Sequence, residues 1–194
     1  MAQEIGHGSS LKRIAIMVGA GHVPGINAVI IGAATAAGNL GWEMVGIRDG
    51  FDGLLYPERY SGGGLVTLDS ELIESLDPSG AGLLGQAPRV DPFHVRTINE
   101  DEMVEEVDLS DELLTKLRAE GIDGLIAVVG GRGLSILFKL HRKGLNAVCV
   151  PRAIENEIAA TMVSFGFNSV LSFTIELLDR ARQAARAARK IGVV

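Results

Sequence analysis

Short apolar runs alternate along this chain with segments whose apolar residues recur every three or four positions. Residues 13–18, Arg-Ile-Ala-Ile-Met-Val, read as a buried strand because nothing polar interrupts them after Arg13. A glycine-rich turn, Gly19-Ala20-Gly21-His22-Val23-Pro24-Gly25, then opens an alanine-rich stretch that predicts a helix to Leu40. Residues 43–48 supply a second strand.

The pattern repeats downstream. Leu113, Leu114 and Leu117 predict a helix over 111–120 with Ser110 as its cap, and Gly121 stops it before a strand at 124–129. After Gly130-Gly131-Arg132-Gly133, residues 134–143 fit a helix and 146–150 a strand ended by Pro151. Residues 169–190 form a long final helix whose Leu171, Ile175, Leu178, Ala181, Ala185 and Ala188 share one face. Residues 54–96 break the alternation, being rich in glycine, proline and acids with one short helix at 69–76, and predict a long, partly mobile excursion. The expected fold is α/β, a Rossmann-like three-layer sandwich around a mainly parallel sheet. Residues 1–12 are expected to be a flexible segment ahead of a single domain over 13–194.

Composition narrows the picture. With 194 residues, 47% hydrophobic and 22% charged, the chain can bury one substantial core. A net charge of −6 argues against nucleic acid or an anionic membrane as the main partner, while leaving phosphate ligands open to local backbone amides. Cys149 is the one cysteine, which excludes an intrachain disulfide. The first ten residues lack the apolar core of a signal peptide, and no run approaches the ~18 apolar residues of a membrane span. A cytoplasmic location is the expectation.

Three loops carry the candidate chemistry, because ligands of open parallel sheets bind at the carboxyl ends of strands. The first, with Gly19, Gly21 and Gly25, is either a phosphate loop backed by free N–H groups at the start of a helix or a merely tight turn. Its His22 either donates to phosphate or faces solvent. Gly130, Gly131 and Gly133 can wrap an anion with Arg132 supplying planar donors, or can leave Arg132 solvated. Glu155 and Glu157 can act as a base, as magnesium ligands, or as caps of the next helix. The glycines also make a loosened dinucleotide fingerprint, with Asp49 where a ribose-binding acid could sit.

The order of these blocks resembles the phosphofructokinase family. The resemblance rests on Val23-Pro24-Gly25-Ile26-Asn27-Ala28, Asp49-Gly50-Phe51-Asp52-Gly53-Leu54, Gly82-Leu83-Leu84-Gly85, Gly130-Gly131-Arg132-Gly133, Val150-Pro151-Arg152-Ala153-Ile154-Glu155-Asn156-Glu157-Ile158, and Thr161 with Ser164-Phe165-Gly166-Phe167. It runs from residue 13 to the end and is to the nucleotide-binding half of a 6-phosphofructokinase, dependent on ATP or pyrophosphate.

The resemblance implies roles and marks departures. Arg132 stands where the family has an aspartate that helps hold magnesium, and Leu134 where a serine is usual. Glu155 matches the base that takes the sugar hydroxyl's proton, and its extra methylene shifts the carboxylate by ~1 Å. Ala153 lacks the hydroxyl expected there, Ala20 replaces a glycine, and Pro88 replaces a phosphate-binding arginine that Arg89 can supply only after a one-residue shift. Ile31 and Thr35 stand at effector-site arginines of the bacterial allosteric enzymes. The sugar-phosphate half that follows in the family lies outside this sequence, which leaves the final helix without its usual cover.

The expectation is therefore a diverged phosphofructokinase-like protein that binds a phosphate-containing small molecule. Its site comprises Gly19, Gly21, His22, Gly25, Arg89, Gly130, Gly131, Arg132 and Gly133, with Glu155 and Glu157 as catalytic candidates. ATP or pyrophosphate are the candidate ligands, and Arg132 argues against ordinary magnesium–nucleotide binding. Weak or absent activity alone, and a homo- or hetero-oligomer formed through the final helix, complete the reading. The alternatives are an active phosphotransferase with Glu155 as base and a structural subunit with an empty cleft.

Overall fold

The computed structural model describes residues 13–21, 23–80, 82–85, 91–98 and 103–193. The expectation of a flexible segment at 1–12 falls outside them, as do His22, Pro88 and Arg89.

In chain order the elements are β1 (Arg13–Val18), α1 (Ile26–Asn39), β2 (Glu43–Ile47), α2 (Asp52–Leu55), a 3-10 turn (Pro57–Arg59), β3 (Leu65–Thr67) and α3 (Ser70–Ser75). Then come β4 (Val95–Ile98), β5 (Val104–Val107), α4 (Ser110–Ala119), β6 (Gly124–Val129), α5 (Gly131–Arg142), β7 (Ala147–Ala153), β8 (Phe165–Gly166) and α6 (Phe167–Ala187). The main sheet has the order β3-β2-β1-β6-β7-β8 and is parallel except for the antiparallel edge strand β3. The strand order reverses beside β1, so the loops after β1 and β6 leave neighbouring strands at the same edge.

Alternation along β1 divides the core. Ile14, Ile16 and Val18 pack with Ile26, Ile30, Ala34 and Ala37 of α1, whereas Ala15 and Met17 pack with Leu113, Leu114 and Leu117 of α4 and Leu137 and Leu140 of α5. A strand covered on both faces has no use for polar residues, which is why β1 and β6 read as unbroken apolar runs. The expected three layers are present.

Several boundaries differ from the sequence reading. Ser110 is not the cap of α4 but its first, fully buried residue; Asp108 accepts the Ser110 N–H at 2.8 Å, and the Ser110 hydroxyl accepts Lys143 Nζ at 2.6 Å. Helix α5 begins at Gly131 rather than 134, because a Cβ on Gly133 would lie 2.6 Å from Val129 and only glycine allows the first turn to sit that close to β6. Strand β7 continues through Pro151 to Ala153; β8 pairs only from Arg152 onward, so that side of Pro151 has no ladder bond to lose. The excursion holds more regular structure than expected, since β3 extends the sheet and β4, which begins at its end, pairs antiparallel with β5 beyond it. Their short runs carry too few apolar residues to stand out.

Helix α6 is the outlier in packing. None of its residues is buried, and Leu171, Phe173, Ile175 and Leu178 are 46%, 61%, 53% and 44% exposed. No described helix is long and apolar enough to cross a membrane.

Candidate active site

The site is organised by a charged residue to which sequence reasoning gave no role. Arg152 lies near the carboxyl end of β7 with only 3% of its surface exposed. Its Nη1 donates to the Gly21 carbonyl at 2.6 Å, and its Nη2 donates to the carbonyls of Gly19, at 2.7 Å, and Ala20. Among the described residues no carboxylate pairs with it, so three carbonyl dipoles are what stabilise the buried charge. Burial holds its pKa below the usual arginine value, yet a guanidinium stays protonated at neutral pH.

This contact orients the first loop. Each peptide is planar and trans, so the Ala20 N–H opposes the Gly19 carbonyl and the Gly21 N–H opposes the Ala20 carbonyl. Drawing the carbonyls onto Arg152 turns these two N–H groups away from it, and neither finds an acceptor among the described residues. Gly21 has φ +113, which strains any residue with a side chain, and a Cβ there would lie 3.1 Å from the Arg152 guanidinium, close enough that the guanidinium would have to shift.

A cavity of about 300 Å³ opens beside this loop. Gly19, Ala20, Asp91, Gly130, Gly131, Arg132 and Gly133 form its polar rim, and Met17, Phe51, Val129, Ile136 and Leu137 its apolar wall. The rim includes the start of α5, which has no side-chain cap; the N–H groups of Gly131, Arg132 and Gly133 have no acceptor among the described residues. Such an end carries a partial positive charge and attracts anions, and Arg132 adds a full one.

Other candidates are placed differently. The helix after the first loop offers fewer free N–H groups than expected at Gly25: the Gly25 N–H donates to Ser79 O at 3.3 Å and that of Asn27 to Gly80 O at 3.1 Å. Segment 77–80 thus takes up donors at the start of α1. Glu155 and Glu157 are exposed on the segment after β7 and do not line the cavity. Neither caps the next helix, since α6 starts from Gly166 without a side-chain cap. Between them Asn156, at φ 55, closes the segment by accepting the Ser164 N–H at 2.7 Å and donating to Met162 O at 3.2 Å. No three His, Cys, Asp or Glu side chains among the described residues converge as metal ligands; Asp91 is the one carboxylate lining the cavity, and Arg132 at the rim would repel a cation placed beside it.

Asp49 is also committed, contrary to a ribose-binding role. Its N–H donates to Leu84 O at 2.6 Å and its carboxylate accepts the Tyr60 hydroxyl. Burial first, then Asp49, pushes the Tyr60 hydroxyl up to about 12. The residues missed by sequence reasoning are Arg152 and the apolar wall. The signal for Arg152 was a lone charge in an otherwise apolar strand, which demands partners inside the protein.

Comparison with known proteins agrees with this architecture. The phosphofructokinase family model matches residues 13–194. ATP-dependent 6-phosphofructokinase 2 of Clostridium perfringens is 32% identical over 182 residues, covering 93% of this chain and 48% of the relative. ATP-dependent 6-phosphofructokinase of Chloroflexus aggregans is 30% identical over 186 residues, covering 96% and 50%. Among solved structures, Pichia pastoris phosphofructokinase in the T-state shares the fold with a TM-score of 0.68 at 22% identity, over 90% of this chain and 18% of that one. The pyrophosphate-dependent phosphofructokinase of Nitrosospira multiformis does so with a TM-score of 0.66 at 21% identity, over 91% and 42%. The chain belongs to the phosphofructokinase family, which overturns the dinucleotide reading of its first glycines. It spans about half the length of the curated relatives it matches and corresponds to their N-terminal half.

Two outcomes follow from the geometry. Arg152→Met strands three carbonyls and is expected to cost about 3 kcal/mol in denaturant unfolding. Arg152→Lys should recover only part of this, because one ammonium cannot reproduce the planar fork; equal stability of all three proteins would remove the role assigned to Arg152. In an alkaline titration followed by phenolate absorbance, one tyrosine should ionise only near pH 12, and Asp49→Asn should lower that value part of the way. Because the folded pKa exceeds the unfolded value of about 10, this contribution to stability is present below pH 10 and is lost as pH rises towards 12.

Proposed function

We propose that this chain is a diverged phosphofructokinase-like domain, acting as one unit over 13–194, that binds a nucleotide or pyrophosphate between its first loop and the start of α5. The observation that carries this reading is the uncapped N-terminus of α5, with Arg132 in its first turn, facing an apolar-walled cavity. The volume suits a small-molecule site, the apolar wall suits a base, and the rim suits phosphate. Arg132 neutralises phosphate directly, with planar donors, where the family resemblance implies a metal-holding aspartate.

Binding and turnover separate in this reading. Glu155, the residue matching the family's base, is exposed and outside the cavity wall, which supports weak or absent phosphoryl transfer by this chain alone. The exposed apolar face of α6 supports action in an oligomer or with a partner chain that covers it.

The test is to determine the purified protein's mass in solution and titrate it calorimetrically with ATP, ADP and pyrophosphate, with and without magnesium. Binding without magnesium is expected, together with an oligomeric mass. Arg132→Asp should weaken magnesium-free binding by about tenfold or more, the scale of one charge-assisted hydrogen bond. Binding that requires magnesium would favour an active phosphotransferase, and turnover that is lost in Glu155→Gln would establish it. A stable oligomer that binds none of the three would identify a structural subunit.

A further inference from the structure

Helix α1 differs from the other described helices in carrying no charged side chain, although Ala28, Gly32, Thr35 and Ala36 lie exposed on its outer face. A helix face left to water normally carries charge, and this one presents a low, uncharged ridge instead. Grooves run along both sides of its second half. One, of about 250 Å³, is apolar: Ala33, Ala36, Leu40 and Trp42 line it with Ile126 and Val148, and Leu40 and Val148 are 60% and 66% exposed. The other, of about 610 Å³, is acidic: Glu43, Asp69 and Glu74 line it beside Thr35 and Asn39, and no Lys, Arg or His does. Glu43 meets Arg13 at 3.3 Å and Asp69 accepts the Leu72 N–H at 2.9 Å, whereas Glu74 forms no ion pair among the described residues. Helix α1 also lacks a basic residue in its last turn, so its negative end adds to this potential. The two grooves share Trp42 and Met44, so a rod laid across the ridge enters both.

Helix α6 has the matching profile. Its first half exposes Leu171, Phe173, Ile175 and Leu178, and beyond its second half Arg186, Arg189 and Lys190 stand exposed without an ion pair among the described residues. Arg180 and Arg182, between these two groups, are already held by Glu176 and Asp179. Small residues on α1 allow a second helix to come close, its bulky apolar side chains fill the apolar groove, and its free cations meet the acidic one. We propose that α6 of one copy of this chain docks across α1 of a second copy. A helix of 21 residues is about 31 Å long and about 10 Å wide, so one such contact covers about 300 Å² on each side. That is about half of the ~1,200 Å² at which stable interfaces begin, and two contacts reach it. Two copies therefore exchange α6 reciprocally, as a two-fold dimer. The inference rests on the reading above that α6 serves association, and it adds the partner and the surface that receives the helix.

The experiment is sedimentation of the whole chain over a range of concentrations, for the wild type, Ala36→Glu in the ridge, Ile175→Glu in α6, and an equal mixture of the two variants. Both positions are exposed, and circular dichroism should show each variant folded like the wild type. The wild type is expected to be a dimer, and each variant alone a monomer, because each loses both contacts. The mixture should form a dimer again, since α6 of Ala36→Glu is intact and so is the ridge of Ile175→Glu. Held by one contact instead of two, it should need at least a hundredfold higher concentration than the wild type. Raised salt should weaken the wild-type dimer, because the charge match between the grooves and the end of α6 is screened. Ala36→Glu that stays dimeric while Ile175→Glu is monomeric would overturn the proposal and leave association through α6 standing, with the helices paired to each other. A mixture that stays monomeric at every concentration would also overturn it. A monomeric wild type would overturn both this inference and the oligomer reading.

Discussion

A buried guanidinium surrounded by backbone carbonyls is the constraint on which the candidate site depends. Arg152 cannot lose its proton and has no carboxylate partner among the described residues, so the loop after β1 must bring its oxygens inward. Peptide planarity then dictates where the loop's nitrogens point. The need to solvate one charge inside the protein thus fixes the polarity of a loop on another strand. Glycine at 21 follows from the same requirement, since its positive φ strains any other residue and a Cβ there would crowd the Arg152 guanidinium.

The sheet makes this local constraint useful. Strands β1 and β6 are neighbours, so the oriented loop and the uncapped start of α5 open onto one cavity, and Gly133 lets α5 begin close against Val129. In the proposed reading, phosphate is attracted by backbone groups and Arg132 in a chain whose net charge is −6. Global charge argues against nucleic acid as the main partner while leaving a local anion site open, because the relevant fields act over ~8–10 Å. Helix α6, in contrast, contributes almost nothing to the core and presents its apolar residues outward.

Much of the fold was legible because two-sided burial leaves a strong imprint: β1, β6 and the α4 leucines declare themselves by composition and spacing alone. What escaped depended on tertiary partners. Ser110 looks like a cap in sequence, yet it is the first residue of the helix, where Asp108 accepts its N–H and its hydroxyl meets Lys143. Gly25 looks like the start of an open helix, yet segment 77–80 occupies its donors. The glycines of the rim were visible as motifs, whereas the apolar wall was indistinguishable from ordinary core. Arg152 stood within a recognised block, and nothing local announced that its partners lay some 130 positions earlier in the chain.

Amide chemical-shift mapping of the isotopically labelled protein during an ADP titration tests most directly whether the oriented loop and the start of α5 act as one anion site. The expected result is that the signals of Ala20, Gly21, Gly131, Arg132 and Gly133 move together along one binding curve while those of Gly25 and Asn27 stay in place. Movement of Gly25 and Asn27 without the others would contradict it and return the phosphate to the start of α1.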